Sequence, residues 1–315
     1  MPTPELEQEA LQEAVNLIEQ YGSFYKAGLA VGMDRGTLKN RYLRGIASGL
    51  KPTFRREYVD VHQREKLGKS HMVIPDLQVK PHVPVDHLRW IANYAIEKRP
   101  DVIIQIGDWA DMPSLSLYDK GKRCYEGRRY VKDIDSVNDS LDLFEKTIED
   151  YNRAHPNEPF NPRKVLTRGN HEHRIIRATD LDAALDGKLT LRDLHFGDRG
   201  WECHDFLEVV EIDGIQYSHY FISGAMGRPV SSAAALLKAR GGSATMGHVQ
   251  RMDVNYHPQT QQIGLFCGTC YLHDEEYLGP QGNCAPRQII MKHEVDEGRY
   301  DLMAVSLNFL RKRYS

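Results

Sequence analysis

The spacing of apolar positions divides the chain into a helical start and a longer mixed region. Leu6, Ala10, Leu11, Ala14, Leu17, Ile18 and Tyr21 recur at helical spacing, which puts them on one face of an amphipathic helix. Tyr21-Gly22-Ser23 ends it, and Ser23 stands where it can cap a second short helix carrying Phe24, Ala27, Leu29 and Ala30. Val31-Gly32-Met33-Asp34 reads as a turn, with Asp34 as N-cap of a third helix over 35–44. From residue 71 the period changes. Apolar runs at 71–75, 101–106 and 164–167 read as strands, separated by helical stripes at 85–98 and 134–151. Further helices are expected at 171–185 and 231–240, and strands near 207–212, 215–219, 244–247, 263–267, 288–292 and 302–307. Strand–helix alternation followed mostly by strands predicts a layered α/β domain. The division expected is a small all-α domain over 1–45, a linker over 46–70 marked by Gly49, Pro52 and Gly68, and an α/β domain over 71–315.

Composition narrows the class. The 315 residues are 41% hydrophobic and 27% charged, a globular balance that argues against disorder throughout. No apolar run approaches the roughly 18 residues of a membrane span. The acidic start lacks the basic-then-apolar layout of a secretory signal. Five cysteines, an odd number, do not suggest a disulfide framework. A soluble, cytoplasmic protein is the expectation.

The net charge of −3 hides a strong segregation. Residues 1–34 carry −5, residues 35–69 carry +7, and the remainder carries −5. The basic segment begins on the third helix, with Arg35, Lys39, Asn40, Arg41 and Arg44 as its polar positions. Two short helices joined by a tight turn, the second one basic, resemble a helix-turn-helix. That arrangement points to nucleic acid, DNA first, as a partner; packing or homo-oligomeric assembly is the other use of such a bundle.

Chemistry is concentrated where the expected strands end. There the chain reads Asp76-Leu77-Gln78, then Gly107-Asp108-Trp109-Ala110-Asp111, then Gly169-Asn170-His171-Glu172-His173-Arg174, then Ser218-His219, then Gly247-His248-Val249-Gln250. Glycines permit sharp turns at these ends. Asp, Asn, His and Gln each offer an oxygen or nitrogen lone pair, so their convergence suggests a divalent-metal site.

In order and spacing these segments resemble the calcineurin-like metallophosphoesterases, whose signature is D-x-H, G-D-x-x-D, G-N-H-[DE], a lone His, and G-H-x-H. The resemblance covers residues 76–250, most of the second domain. It implies a four-layer αββα sandwich holding two metals. It also implies hydrolysis of a phosphate ester by a water that the two metals activate. Carried over by position, one metal would have Asp76 and Asp108 with Gln78 and Gln250. The other would have Asp108 as bridge with Asn170, His219 and His248. Two positions depart from the pattern, because Gln78 and Gln250 stand where the family has histidine. If both amides coordinate through oxygen, the first site becomes all-oxygen, which favours Mn²⁺ or Mg²⁺ over zinc and implies weak binding there. His82 and His273 lie near enough in the sequence to supply a substitute ligand. By resemblance His171 is the catalytic acid, Asp111 and Glu172 orient the histidines, and Arg174 faces the substrate phosphate.

A segment over 118–132 mixes Lys120, Lys122, Arg123, Arg128, Arg129 and Lys132 with Tyr118, Tyr125 and Tyr130. Bases interleaved with aromatics suit a phosphate backbone with stackable bases. With the basic helix it favours a nuclease or phosphodiesterase acting on DNA or RNA. The alternatives are a phosphatase or phosphodiesterase for nucleotides or phosphoproteins, and a DNA-binding regulator with a silent phosphoesterase fold.

Overall fold

The structure is a computed structural model and describes residues 4–21, 23–53, 68–275 and 278–315. Most of the expected linker over 46–70 lies outside the described residues. The chain forms two compact units, Met1–Lys66 and Leu67–Ser315.

The first unit contains α1 (Pro4–Tyr21), α2 (Phe24–Val31) and α3 (Arg35–Ala47). The caps fall where the sequence places them. Ser23 accepts a hydrogen bond from the Lys26 amide at 3.2 Å, and Asp34 accepts one from the Thr37 amide at 3.0 Å. Gly32, in the left-handed region, closes α2. Ala14, Leu17, Ala27 and Leu38 form the small core between the helices. The Gly45 position shows how closely α1 and α3 approach, since a Cβ there would lie 3.1 Å from the Leu11 carbonyl oxygen.

The second unit runs β1 (Lys69–Ile74), α4 (His87–Lys98), β2 (Val102–Gln105), α5 (Tyr130–Ala154), β3 (Arg163–Thr167), α6 (Arg174–Leu181), β4 (Trp201–His204), β5 (Val210–Ile212) and β6 (Ile215–Tyr217). It continues with β7 (Ile222–Ser223), β8 (Arg228–Pro229), α7 (Ala233–Arg240), β9 (Ala244–Met246), β10 (Met252–Tyr256) and β11 (Ile263–Cys267). It ends with α8 (Gly279–Gly282), β12 (Gln288–Asp296), β13 (Arg299–Ser306) and α9 (Leu307–Tyr314). One sheet has the order β13-β12-β1-β2-β3-β4, and the second has β10-β11-β9-β6-β5. Strands β1 to β4 are parallel, and β12 joins them antiparallel.

The period of two along each strand sorts side chains between layers. Val73, Ile104, Val165 and Ile290 of the first sheet pack with Ile215, Tyr217, Leu265 and Cys267 of the second. Met72, Ile74, Ile103, Leu166 and Met291 point to the other face and pack with α4, α5 and α9. Phe266 and Met246 of the second sheet join Leu236 of α7 in a separate cluster. The result is the four-layer αββα sandwich. Its central strands are buried on both faces, which is why they read as continuous apolar runs.

Several boundaries differ from expectation. The helix anticipated over 171–185 shrinks to α6, followed by a short 3₁₀ turn at Ala183–Leu185. Residues 171–173 are held in a turn instead, with the His171 amide donating to Asp108 Oδ1 at 3.0 Å. The C-terminal strand is followed by a helix, α9, that the sequence reading lacked. Ser306 caps it, and it buries only Leu307 and Leu310. Two buried positions in eight residues leave little period to detect.

Candidate metal centre

The residues singled out from the sequence converge at the carboxyl ends of β1, β2, β3, β6 and β9, where a crevice opens beyond the parallel strands. Asp108, His219 and His248 each bring a lone-pair atom within 4.8 Å of the others. His219 Nε2 lies 3.3 Å from Asp108 Oδ2 and 2.9 Å from Asn170 Oδ1. The opposite ring nitrogen of His219, Nδ1, donates to the Ile106 carbonyl at 2.9 Å. That bond fixes the tautomer and leaves Nε2 as the ligating atom.

Two glycines make the approach possible. A Cβ at Gly169 would lie 2.0 Å from Asp108 Oδ1, and one at Gly247 would lie 2.3 Å from Asp76 Oδ1. Any side chain at these positions would displace a carboxylate of the site. The backbone is also unusual here. Gln78, Asp108, His248 and Gln250 all have positive φ, between 44° and 63°.

The electrostatics of the cluster suits a divalent cation. Asp76 is fully buried, and its carboxylate accepts from the His248 amide at 3.1 and 3.2 Å. Burial, with His219 opposing and Asp108 adding to it, raises its carboxyl to about 7. His219 is also fully buried, which works against its charge, but Asp108 overrides this and raises it to about 9. Burial and the neighbouring His219 push His248 down to about 4, so its lone pair is free. Carboxylates and imidazoles crowded out of water in this way match the demands of a bound cation.

The two glutamines differ. Gln78 Oε1 is buried and has no hydrogen-bond partner among the described residues. Such an atom is costly unless something absent from the protein satisfies it, and a divalent ion at this position would do so. Gln250 Oε1 instead accepts from the Tyr271 hydroxyl at 3.2 Å, leaving one lone pair. The residues therefore fit metal, with Asp76, Asp108, Asn170, His219, His248 and Gln78 as donors. His82 is exposed, and His273 is held by Glu275 at 2.7 Å while stacking on Tyr271. Neither is in the cluster with Asp108.

His171 stands beside this group. Its Nδ1 lies 2.8 Å from Asp111 Oδ1 and 2.9 Å from the Asp111 carbonyl. Both partners only accept, so Nδ1 carries the proton. Nε2 faces Asp108 Oδ2 at 3.8 Å and Arg174 Nη2 at 3.3 Å. Burial opposes its charge, but the Asp108 carboxylate and the Asp111 bond raise its pKa on balance. Arg174 is itself anchored on the Asp111 carbonyl at 2.7 Å.

Glu172 does not orient a histidine, contrary to expectation. It accepts the amides of Asp108, Ala110 and Gly169 at 2.8 to 3.0 Å, tying two motif loops together. Sequence reasoning missed Lys80, which reaches Asp111 at 3.1 Å and Glu275 at 2.7 Å. Nothing in local sequence links positions 195 residues apart.

The residues expected to meet nucleic acid are of two kinds. Arg35, Lys39, Asn40 and Arg44 are exposed on α3, and Arg44 pairs with Glu7. Arg41 is half-buried, with Nη1 3.8 Å from Met33 Sδ. In the second unit Arg123 and Arg129 are exposed, and Lys122 pairs with Asp119 at 3.2 Å. Arg128 braces its own loop through Asp119 at 2.8 Å and the Pro113 carbonyl at 3.2 Å.

No protein-family model matches the chain, and no curated protein sequence does. Solved structures align with about three quarters of it. Vps29 of Entamoeba histolytica complexed with zinc aligns at 11% identity over 76% of this chain and 99% of that one, with a TM-score of 0.36. YfcE, a phosphoesterase from E. coli, aligns at 9% identity over 75% and 100%, with a TM-score of 0.32. A predicted phosphoesterase from Streptococcus pneumoniae aligns at 11% over 75% and 97%, with a TM-score of 0.29.

Proposed function

We propose that the protein is a divalent-metal-dependent phosphoesterase of the calcineurin-like type, acting on phosphodiesters of DNA or RNA. The observation that carries this reading is the convergence of Asp108, His219 and His248 beside a second buried carboxylate, Asp76, and the unpartnered Gln78 oxygen. When bound, a pair of divalent ions supplies a more acidic water and neutralises charge on the phosphate. Oxygen donors dominate on the Asp76 side, so Mn²⁺ is the first choice and Mg²⁺ the second.

The chain's own residues supply proton transfer and orientation. Asp111 holds His171 by Nδ1, which leaves Nε2 to exchange a proton with the leaving oxygen. The Asp111 hydrogen bond favours the protonated ring that a general acid requires. Arg174 places positive charge 3.3 Å from Nε2, where a phosphate oxygen would be received. Despite its burial, the His171 hydrogen bond and charge, with smaller help from Lys80 and Arg174, hold Asp111 ionised, well below the usual carboxylate range.

Support for a nucleic-acid substrate comes from the exposed bases of α3 and of the loop near residue 123. The test is a Mn²⁺ assay on labelled single- and double-stranded DNA, beside a generic phosphodiester and a phosphomonoester. Cleavage of DNA and of the diester, lost in Asp108→Asn, is the expected result. Cleavage of the monoester alone would overturn the nucleic-acid reading, and no hydrolysis of any substrate would overturn the phosphoesterase reading.

A further inference from the structure

A cavity of about 300 Å³ lies beside the metal centre, lined by Arg168, His173, Ile176, Leu191, Asp205 and Phe206. None of these was assigned a role from the sequence. We infer that this cavity seats the aromatic base of a nucleotide ester whose phosphate lies on the metal centre. The inference rests on the phosphoesterase reading for its chemistry, but its binding component is separable.

Position is the first support. The Phe206 ring centroid is 6.5 Å from that of His219, and Phe206 meets Tyr220 edge-on at 5.5 Å. Tyr220 in turn lies 4.6 Å from His248. An aromatic tier thus runs directly from two candidate ligands to the cavity. His173 completes it, stacking on Phe206 at 4.8 Å and 28°.

The wall chemistry is the second support. Ile176, Leu191 and Phe206 give an apolar surface suited to a flat ring. One edge is polar. Arg168 Nη1 donates to Asp205 at 2.6 Å, with the Arg168 side chain 19% exposed and that of Asp205 79% exposed. Arg168 has five donors, which Asp205 and the Cys203 sulfur use only in part, while the Asp205 carboxylate keeps acceptor capacity. A ring whose rim carries both acceptors and donors suits that edge. The phenyl ring of a phosphotyrosine carries neither on its rim.

Size limits the occupant. A volume near 300 Å³ stands at the small end of ligand sites, roughly 300–1,000 Å³. It admits one base with part of its sugar and excludes a stacked run of bases. Specific contact would therefore be made with a single nucleotide flanking the scissile bond.

The experiment compares two substrates sharing a leaving group, the p-nitrophenyl ester of thymidine 5′-phosphate and methyl p-nitrophenyl phosphate, with Mn²⁺ present. The ratio of their kcat/KM values should fall about fivefold or more in Phe206→Ala, the loss expected for one base–aromatic stack. Phe206→Leu keeps apolar volume and should lose most of the same preference while folding normally. Binding is read separately by calorimetry with AMP against ribose 5-phosphate. Wild type should prefer AMP, and Phe206→Ala should erase that preference. An unchanged ratio in both variants, or equal binding of AMP and ribose 5-phosphate by wild type, overturns the inference. A preference for AMP that depends on Phe206, without hydrolysis of either ester, upholds the base site and overturns the phosphoesterase reading.

Discussion

His171 Nδ1 lies 2.8 Å from Asp111 Oδ1, and the second oxygen of that carboxylate is held by Lys80 at 3.1 Å. The imidazole is thus fixed with Nδ1 toward Asp111 and Nε2 toward Asp108. Replacing His171 with Ala should lower kcat by about 10²- to 10⁴-fold, the usual contribution of a positioned acid. Metal content, measured by elemental analysis, should stay at the wild-type level. Equal losses of turnover and metal would put the residue in the wrong role.

The glutamines make a prediction about metal. Apo-protein titrated with Mn²⁺ should show two unequal affinities, and two equally tight zinc sites would contradict the oxygen-rich first position. Restoring imidazole with Gln78→His and Gln250→His together should raise zinc affinity there by about tenfold or more, the scale on which changes around a metal act. Calorimetry of the double variant against wild type reads this directly.

Gly169 has no room for a methyl group. Its Cβ would sit 2.0 Å from Asp108 Oδ1 and 2.5 Å from the Asp108 amide nitrogen. Gly169→Ala should cost about 1–3 kcal/mol, as overpacking does, and should abolish metal binding. Thermal unfolding and metal titration are the measurements, and tight metal binding by this variant would show that the loops can part without consequence.

Stability should depend on pH through a lysine outside the candidate ligand set. Lys292 is fully buried between the rings of Tyr217 and Tyr300, 4.4 Å from each centroid, and donates to Thr245 Oγ1 at 2.6 Å and Tyr217 Oη at 3.1 Å. Cys267 also faces it. Burial lowers its pKa from 10.5 to about 7. Between those values the unfolded chain binds more protons than the folded one, so stability should rise with pH across that window. His71, lowered by burial from 6.5 to about 4, acts with the same sign at lower pH. The Tm of wild type should increase from pH 7 to pH 10, and Lys292→Met should flatten that rise. An equal slope in both proteins would show that Lys292 is not the source.

Exposed bases on α3 lead to a salt-dependence prediction. Replacing Arg35 and Lys39 with Gln should weaken DNA binding uniformly across sequences. Each change should lower the slope of log K against log salt by about one. Fluorescence anisotropy at several salt concentrations measures it, and an unchanged slope would remove α3 from the interface.

The parallel strands and the motif loops were legible because each is a local signal. The run Val102-Ile103-Ile104-Gln105-Ile106 ahead of Gly107-Asp108 states both a strand and its end. The caps at Ser23 and Asp34 were legible for the same reason. Long-range partners were not. Lys80 and Glu275 meet only after the chain has wound two sheets together. Phe206 sits in a loop after β4 with no period to mark it. The tether of Arg128 to Asp119 was hidden within a run of bases that composition alone presented as free. Glu172 was read as a partner for histidine because it adjoins one, whereas its oxygens reach backward to three amides.

The left-handed backbone at residues 78, 108, 248 and 250 acts as a filter on what may occupy the centre. β-branched side chains are strongly disfavoured in that region, while Asp, Asn and His enter it far more readily. Holding each such residue there costs about 1–3 kcal/mol, offset by the surrounding sandwich. A histidine and a glutamine can exchange at such a position without disturbing the loop, whereas valine, isoleucine or threonine would break it. The donor set of this fold can therefore drift between nitrogen and oxygen, and with it the choice of metal, while the scaffold beneath stays fixed.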